Sequence, residues 1–83
     1  MRTEGSITYH VVLAFERDAD GGLIALQPVE AKSAAAAVAR ARSLASTKAG
    51  AVAFSRTGDP SLGEFEDAVV LFKAGDVPDD VVH

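Results

Sequence analysis

The sequence predicts an α+β fold: a four-stranded, mainly antiparallel sheet, elements ordered ββαββ, with one alanine-rich helix packed on one face. Three features carry that reading. A helix-forming run from Ser33 to Gly50 stands alone in the middle of the chain. Alternating apolar segments lie on both sides of it, and glycine- and aspartate-rich turns divide each flank into a hairpin.

The first strand is Ile7 to Phe15. Ile7, Tyr9, Val11, Leu13 and Phe15 alternate with Thr8, His10, Val12 and Ala14, the period of two that gives a strand two distinct faces. The first set holds the bulk and is expected under the helix. Glu16 to Gly22 is turn chemistry, because aspartate tolerates unusual backbone angles and glycine supplies positive φ. Leu23 to Gln27 returns as the second strand, and Pro28, lacking an N–H, stops it or places it at an edge. Val29 to Lys32 leads into the helix.

Ser33 is the expected N-cap, its hydroxyl positioned to accept from an orphan N–H of the first turn. Gly50 is the expected stop, with Lys48 near the negative end of the helix dipole. At about 100° per residue, Ala34, Ala37, Val38, Ala41, Leu44, Ala45 and Lys48 share one side, opposite Ala39, Ser43 and Ser46. A stripe so rich in alanine lets the helix axis lie close to its support.

Ala51 to Arg56 is the third strand. Thr57 to Gly63 forms a second turn around Asp59-Pro60, and Glu64 to Ala74 is the fourth strand, ended by Gly75-Asp76-Val77-Pro78. Residues 1–5 and 79–83 read as tails.

Eighty-three residues suffice for one domain. A chain this short buries only about 60–65% of its unfolded surface, and alanine supplies much of its apolar fraction. Both points favour self-association. One helix covers one sheet face, so the other face, expected to carry Val12, Ala14, Val70 and Phe72, is the candidate interface of a homodimer or of an unidentified protein partner.

Composition narrows the chemistry. Without cysteine there is no disulfide framework and no thiolate ligand or nucleophile, which suits a cytoplasmic location. No apolar run approaches the length of a membrane span. The net charge of −4 speaks against general nucleic-acid affinity. The weaker alternative is contact through the helix cations Arg40, Arg42 and Lys48, but these project at diverging angles.

Candidate sites are few. His10 is the only histidine inside an expected element and lacks partners at metal-ligand spacing, so no metal or other cofactor is expected. Asp18-Ala19-Asp20-Gly21-Gly22 has alternating carboxylates but neither the length nor the later glutamate of a calcium loop. Ser55, Arg56, Thr57, Gly58 and Ser61 form the best polar cluster, a strand end where hydroxyls, a guanidinium and backbone N–H groups could hold an anion or nucleotide. It lacks the Gly-Lys-Ser/Thr ending of a phosphate loop. No nucleophile, base and orienting group can be assembled from local spacing, so no catalytic residue is assigned.

The run Ala49-Gly50-Ala51-Val52-Ala53-Phe54-Ser55-Arg56-Thr57-Gly58-Asp59-Pro60, followed by Gly63-Glu64-Phe65-Glu66-Asp67-Ala68 and Gly75-Asp76-Val77-Pro78, resembles small bacterial proteins of similar length and ββαββ pattern. That resemblance covers roughly residues 8–80. It implies a compact ββαββ domain and a complete short chain, and it brings no activity or site residue with it.

Overall fold

A computed structural model of the chain describes residues 6–79. Its elements are β1 (Ile7–Arg17), β2 (Leu23–Ala25), β3 (Val29–Ala31), α1 (Ala34–Ala45), β4 (Gly50–Asp59), β5 (Glu64–Phe65) and β6 (Val69–Gly75). The expected tails, 1–5 and most of 79–83, lie outside the described residues.

One antiparallel sheet holds all six strands. β1 and β4 are its two central strands, paired from Ile7 opposite Gly58 to Phe15 opposite Gly50. β2 and β3 follow one another along the free edge of β1. β5 and β6 do the same along β4. The expected fourth strand, Glu64 to Ala74, is therefore broken in two, and the segment expected only to lead into the helix forms a further strand, β3, after the expected second one. At Pro28 the missing N–H interrupts the ladder, and the chain resumes against β1 at Val29. On the other side residues 66–68 leave the strand, although the Glu66 N–H still donates to the Thr57 carbonyl at 2.7 Å. A bulge in the β4–β6 register then sets Phe72 opposite Ala53 and Val70 opposite Phe54, leaving Leu71 between them.

The helix is shorter than the sequence suggests. Ser33 caps it as expected, accepting from the Ala36 N–H at 3.1 Å. It ends at Ala45, however, with Ser46 as C-cap. Gly50 belongs to β4, where a methyl group would collide with the Asp76 backbone. Its smallness serves a close approach of two chain segments, not a helix stop.

The helix covers the opposite face from the one expected. Ala37 and Ala41 form one buried cluster with Val12, Ala51 and Ala53, flanked by Ala31, Leu44, Ala45, Leu71 and Phe72. Small residues thus meet small residues, and the helix sits close to the strands. Bulky side chains in that layer would hold it away. Alternation fixes which residues share a face, but not which face the helix takes. Val12 and Ala14, at 1% and 4% exposure, are therefore core and not interface. Phe72 packs against the same core, and only Val70 of the expected interface residues lies on the helix-free side.

Candidate functional site: the helix-free sheet face

Register places the larger apolar residues together on the side away from α1. Ile7, Tyr9, Val11, Leu13 and Phe15 of β1 lie beside Val52 and Phe54 of β4, with Phe65 of β5 and Val70 of β6 beyond them.

The two ends of this face differ. Phe15 and Val52 are 2% and 0% exposed, although no helix covers them. Arg17 shares their face by register and reaches Asp76 at 3.1 Å; Lys73, opposite Val52, lies 3.9 Å from Asp79. These ion pairs tether the segment that follows β6 beside this end of the face. At the other end Ile7, Phe65 and Val70 remain 43%, 44% and 49% exposed, with Tyr9, Val11 and Phe54 partly exposed between them. The Tyr9 and Phe65 rings lie 6.2 Å apart and tilted by 43°, within the range of a favourable aromatic pair.

Beside the β4–β5 turn lies an open cleft of about 250 Å³, lined by Ser6, Gly58, Asp59, Leu62, Glu64, Phe65 and Glu66; by register Asp59 and Glu64 project to the face opposite Gly58 and Phe65. Its lining is more polar than apolar, with Leu62 and Phe65 among Ser6, Asp59, Glu64 and Glu66. Asp59 is partly committed to the turn, accepting from the Ser61 N–H at 3.0 Å and the Ser61 hydroxyl at 2.6 Å. Arg56, opposite Tyr9, is the cation of these register rows and already has a partner.

The expected anion cluster does not converge. Ser55, Arg56, Thr57 and Gly58 all belong to β4, so their side chains alternate between the two faces. The Thr57 hydroxyl meets that of Thr8 at 2.8 Å, and Ser61 is bound to a carboxylate. What surrounds the turn is acid, which repels an anion.

The other sequence candidates are placed as follows. His10 stands opposite Ser55 on the helix side, and its Nδ1 has no hydrogen-bond partner among the described residues. Asp18 Oδ1 accepts from the N–H groups of Asp20 and Gly22 at 2.9 and 2.8 Å, which makes its carboxylate part of the turn. Among the described residues no three His, Asp or Glu side chains are arranged to hold a metal ion. Of the helix cations, Arg42 stacks over Phe72 at 5.3 Å from the ring centroid and Lys48, beyond the helix end, pairs with Glu16 at 3.1 Å. Arg40 is exposed on its own turn, so no basic stripe forms.

Sequence reasoning missed Ile7, Tyr9, Phe54 and Phe65 as surface residues. The available signal was the size contrast between the two alternating sets, since an alanine helix fits the smaller set. No helix of the described residues is long and apolar enough to cross a membrane. No family model matches the chain, and no curated protein or solved structure matches it significantly.

Proposed function

We propose that this chain is a small binding module whose working surface is the uncovered end of the helix-free sheet face. One observation carries the reading: on one sheet face Ile7, Phe65 and Val70 are exposed and Tyr9, Val11 and Phe54 partly exposed, around the half-buried Arg56. At strand rise and spacing they span roughly 20 by 15 Å, about 300 Å² in projection. Apolar patches of that size on a single chain are commonly interaction sites. Self-association, favoured by the short chain and modest core, would use this same surface, because Val12, Ala14 and Phe72 are occupied by the helix.

The reading is tested by NMR on dilute protein with a neutral gadolinium chelate as solvent probe. Side-chain protons of Ile7, Phe65 and Val70 should relax strongly, and those of Phe15 and Val52 should not. Equal protection of both groups would mean that the surface is not available and would remove the proposal.

A further inference from the structure

We infer, resting on that reading of the face, that residues 76–79 are a releasable strap: closed, they cover Phe15 and Val52, and lifted, they lengthen the apolar working surface along β1 and β4. The exposure pattern calls for a cover at this end. Phe15 and Val52 sit on the same strands and the same face as Val11 and Phe54, yet the first two are buried and the last two partly exposed. Neighbours on one sheet face do not bury a valine completely; a second layer over it does. Among the described residues the segment after β6 is placed to be that layer. Gly75, with φ 75°, turns the chain out of β6. Asp76 then reaches Arg17 of β1 and Asp79 reaches Lys73 of β6, both cations lying on the helix-free face by register, and β4 with Val52 runs between them. Val77 and Pro78, between the two anchors, are half-buried.

The strap's fastenings are of a kind that opens. It takes no part in the sheet ladder: Pro78 has no N–H to give, and among the described residues its one backbone bond runs from the Asp76 N–H to the Ala49 carbonyl. Its ion pairs join half-exposed side chains, and Asp79 is fully exposed. Pairs in such surroundings contribute little and are screened by salt. A segment held this way belongs to the low-stability end of a fold and opens without global unfolding. Opening adds Phe15 and Val52 to the rows of Tyr9, Val11 and Phe54. A partner laid along β1 and β4 therefore competes with the strap for the same side chains, and the strap sets how much of the face is offered.

The chain has no cysteine, so one introduced thiol reports opening. The test labels Val52→Cys in the full chain with a nitrobenzoate disulfide reagent, each rate taken relative to free glutathione under the same conditions. Val12→Cys, buried on the helix side of the sheet, measures opening of the whole domain. Labelling of Val52→Cys should quicken about threefold or more in high sodium chloride, and by a similar factor at low salt when Asp76→Asn and Asp79→Asn are added, because both treatments remove the ion pairs. Val12→Cys should label at one rate throughout. Amide exchange at Asp76 in the unaltered chain gives the same reading without a thiol: it should quicken with salt while exchange at Val12 does not. An unchanged rate at Val52→Cys and at the Asp76 amide, or an equal rise at Val12, overturns the strap. The gadolinium measurement separates this from the reading it rests on. If Ile7, Phe65 and Val70 are accessible and the Val52→Cys rate stays flat, the strap fails while the face remains the working surface. If those three are protected, both fall.

Discussion

Val12 and Ala53 stand opposite one another in the β1–β4 pair and share a buried cluster with Ala37 and Ala41 of the helix. At the centre of the contact helix and sheet therefore meet through methyl groups and one valine, with Leu44, Leu71 and Phe72 packed at its margin. Ala41→Leu should drive the helix off the strands and cost about 1–3 kcal/mol. In a domain of this size each kcal/mol lowers Tm by about 4–8 °C. Ala36→Leu, on the exposed side of the same helix, should leave Tm within a degree or two. Thermal melts of the two variants decide the matter, and equal Tm values would mean that the helix is rotated from the phase described.

Gly50 and Gly75 make a second close contact possible. They pair across β4 and β6, and the Asp76 N–H donates to the Ala49 carbonyl at 2.9 Å. A Cβ on Gly50 would press into the Asp76 backbone, which cannot rotate away as a side chain tip could. Gly21 is the contrasting case: its φ of 85° favours glycine, but the space around it is open. Gly21→Ala should cost about 1 kcal/mol, the ordinary strain of a left-handed residue. Gly50→Ala should cost clearly more, because two backbone segments must part. Urea titrations should rank the two in that order.

These two sites show what the sequence made legible and what it did not. Period-two alternation in Ile7–Phe15 and the helix stripe through Ala37 and Ala41 were readable because each is a local repeat of side-chain size or polarity. The N-cap at Ser33 was readable because capping involves residues three apart. Gly50 was misread as a helix stop, since its partner Asp76 is distant in sequence and no local pattern announces a close approach. The covered face was misread for the same reason. Strand alternation is symmetric between faces, and the choice is made only when Ala51 and Ala53 meet Ala37 and Ala41. The expected anion cluster Ser55 to Ser61 is spread over two faces because β4 continues to Asp59, so part of the expected loop is extended strand with alternating side chains.

Ser33 gives a direct measure of how much the short helix depends on its cap. Its side-chain oxygen accepts from the Ala36 N–H, and the first turn contains no acidic residue to support it further. Ser33→Ala should destabilise the chain by about 1 kcal/mol, and Ser33→Asp should retain or exceed the parental stability by adding a negative charge at the positive end of the dipole. The aspartate variant's advantage should shrink in high salt. Urea midpoints of the two variants at low and high ionic strength check both statements.

Phe15 and Val70 occupy the same helix-free side of the sheet, yet the first is 2% exposed and the second 49%. Their replacement should separate cleanly. Phe15→Ala removes a buried ring and should cost about 3–5 kcal/mol, a large share of the stability of a chain this short. Val70→Ser removes two methyl groups from a half-exposed position and should change stability by no more than about 0.5 kcal/mol. A Val70→Ser variant as unstable as Phe15→Ala would mean that Val70 is buried in the native protein.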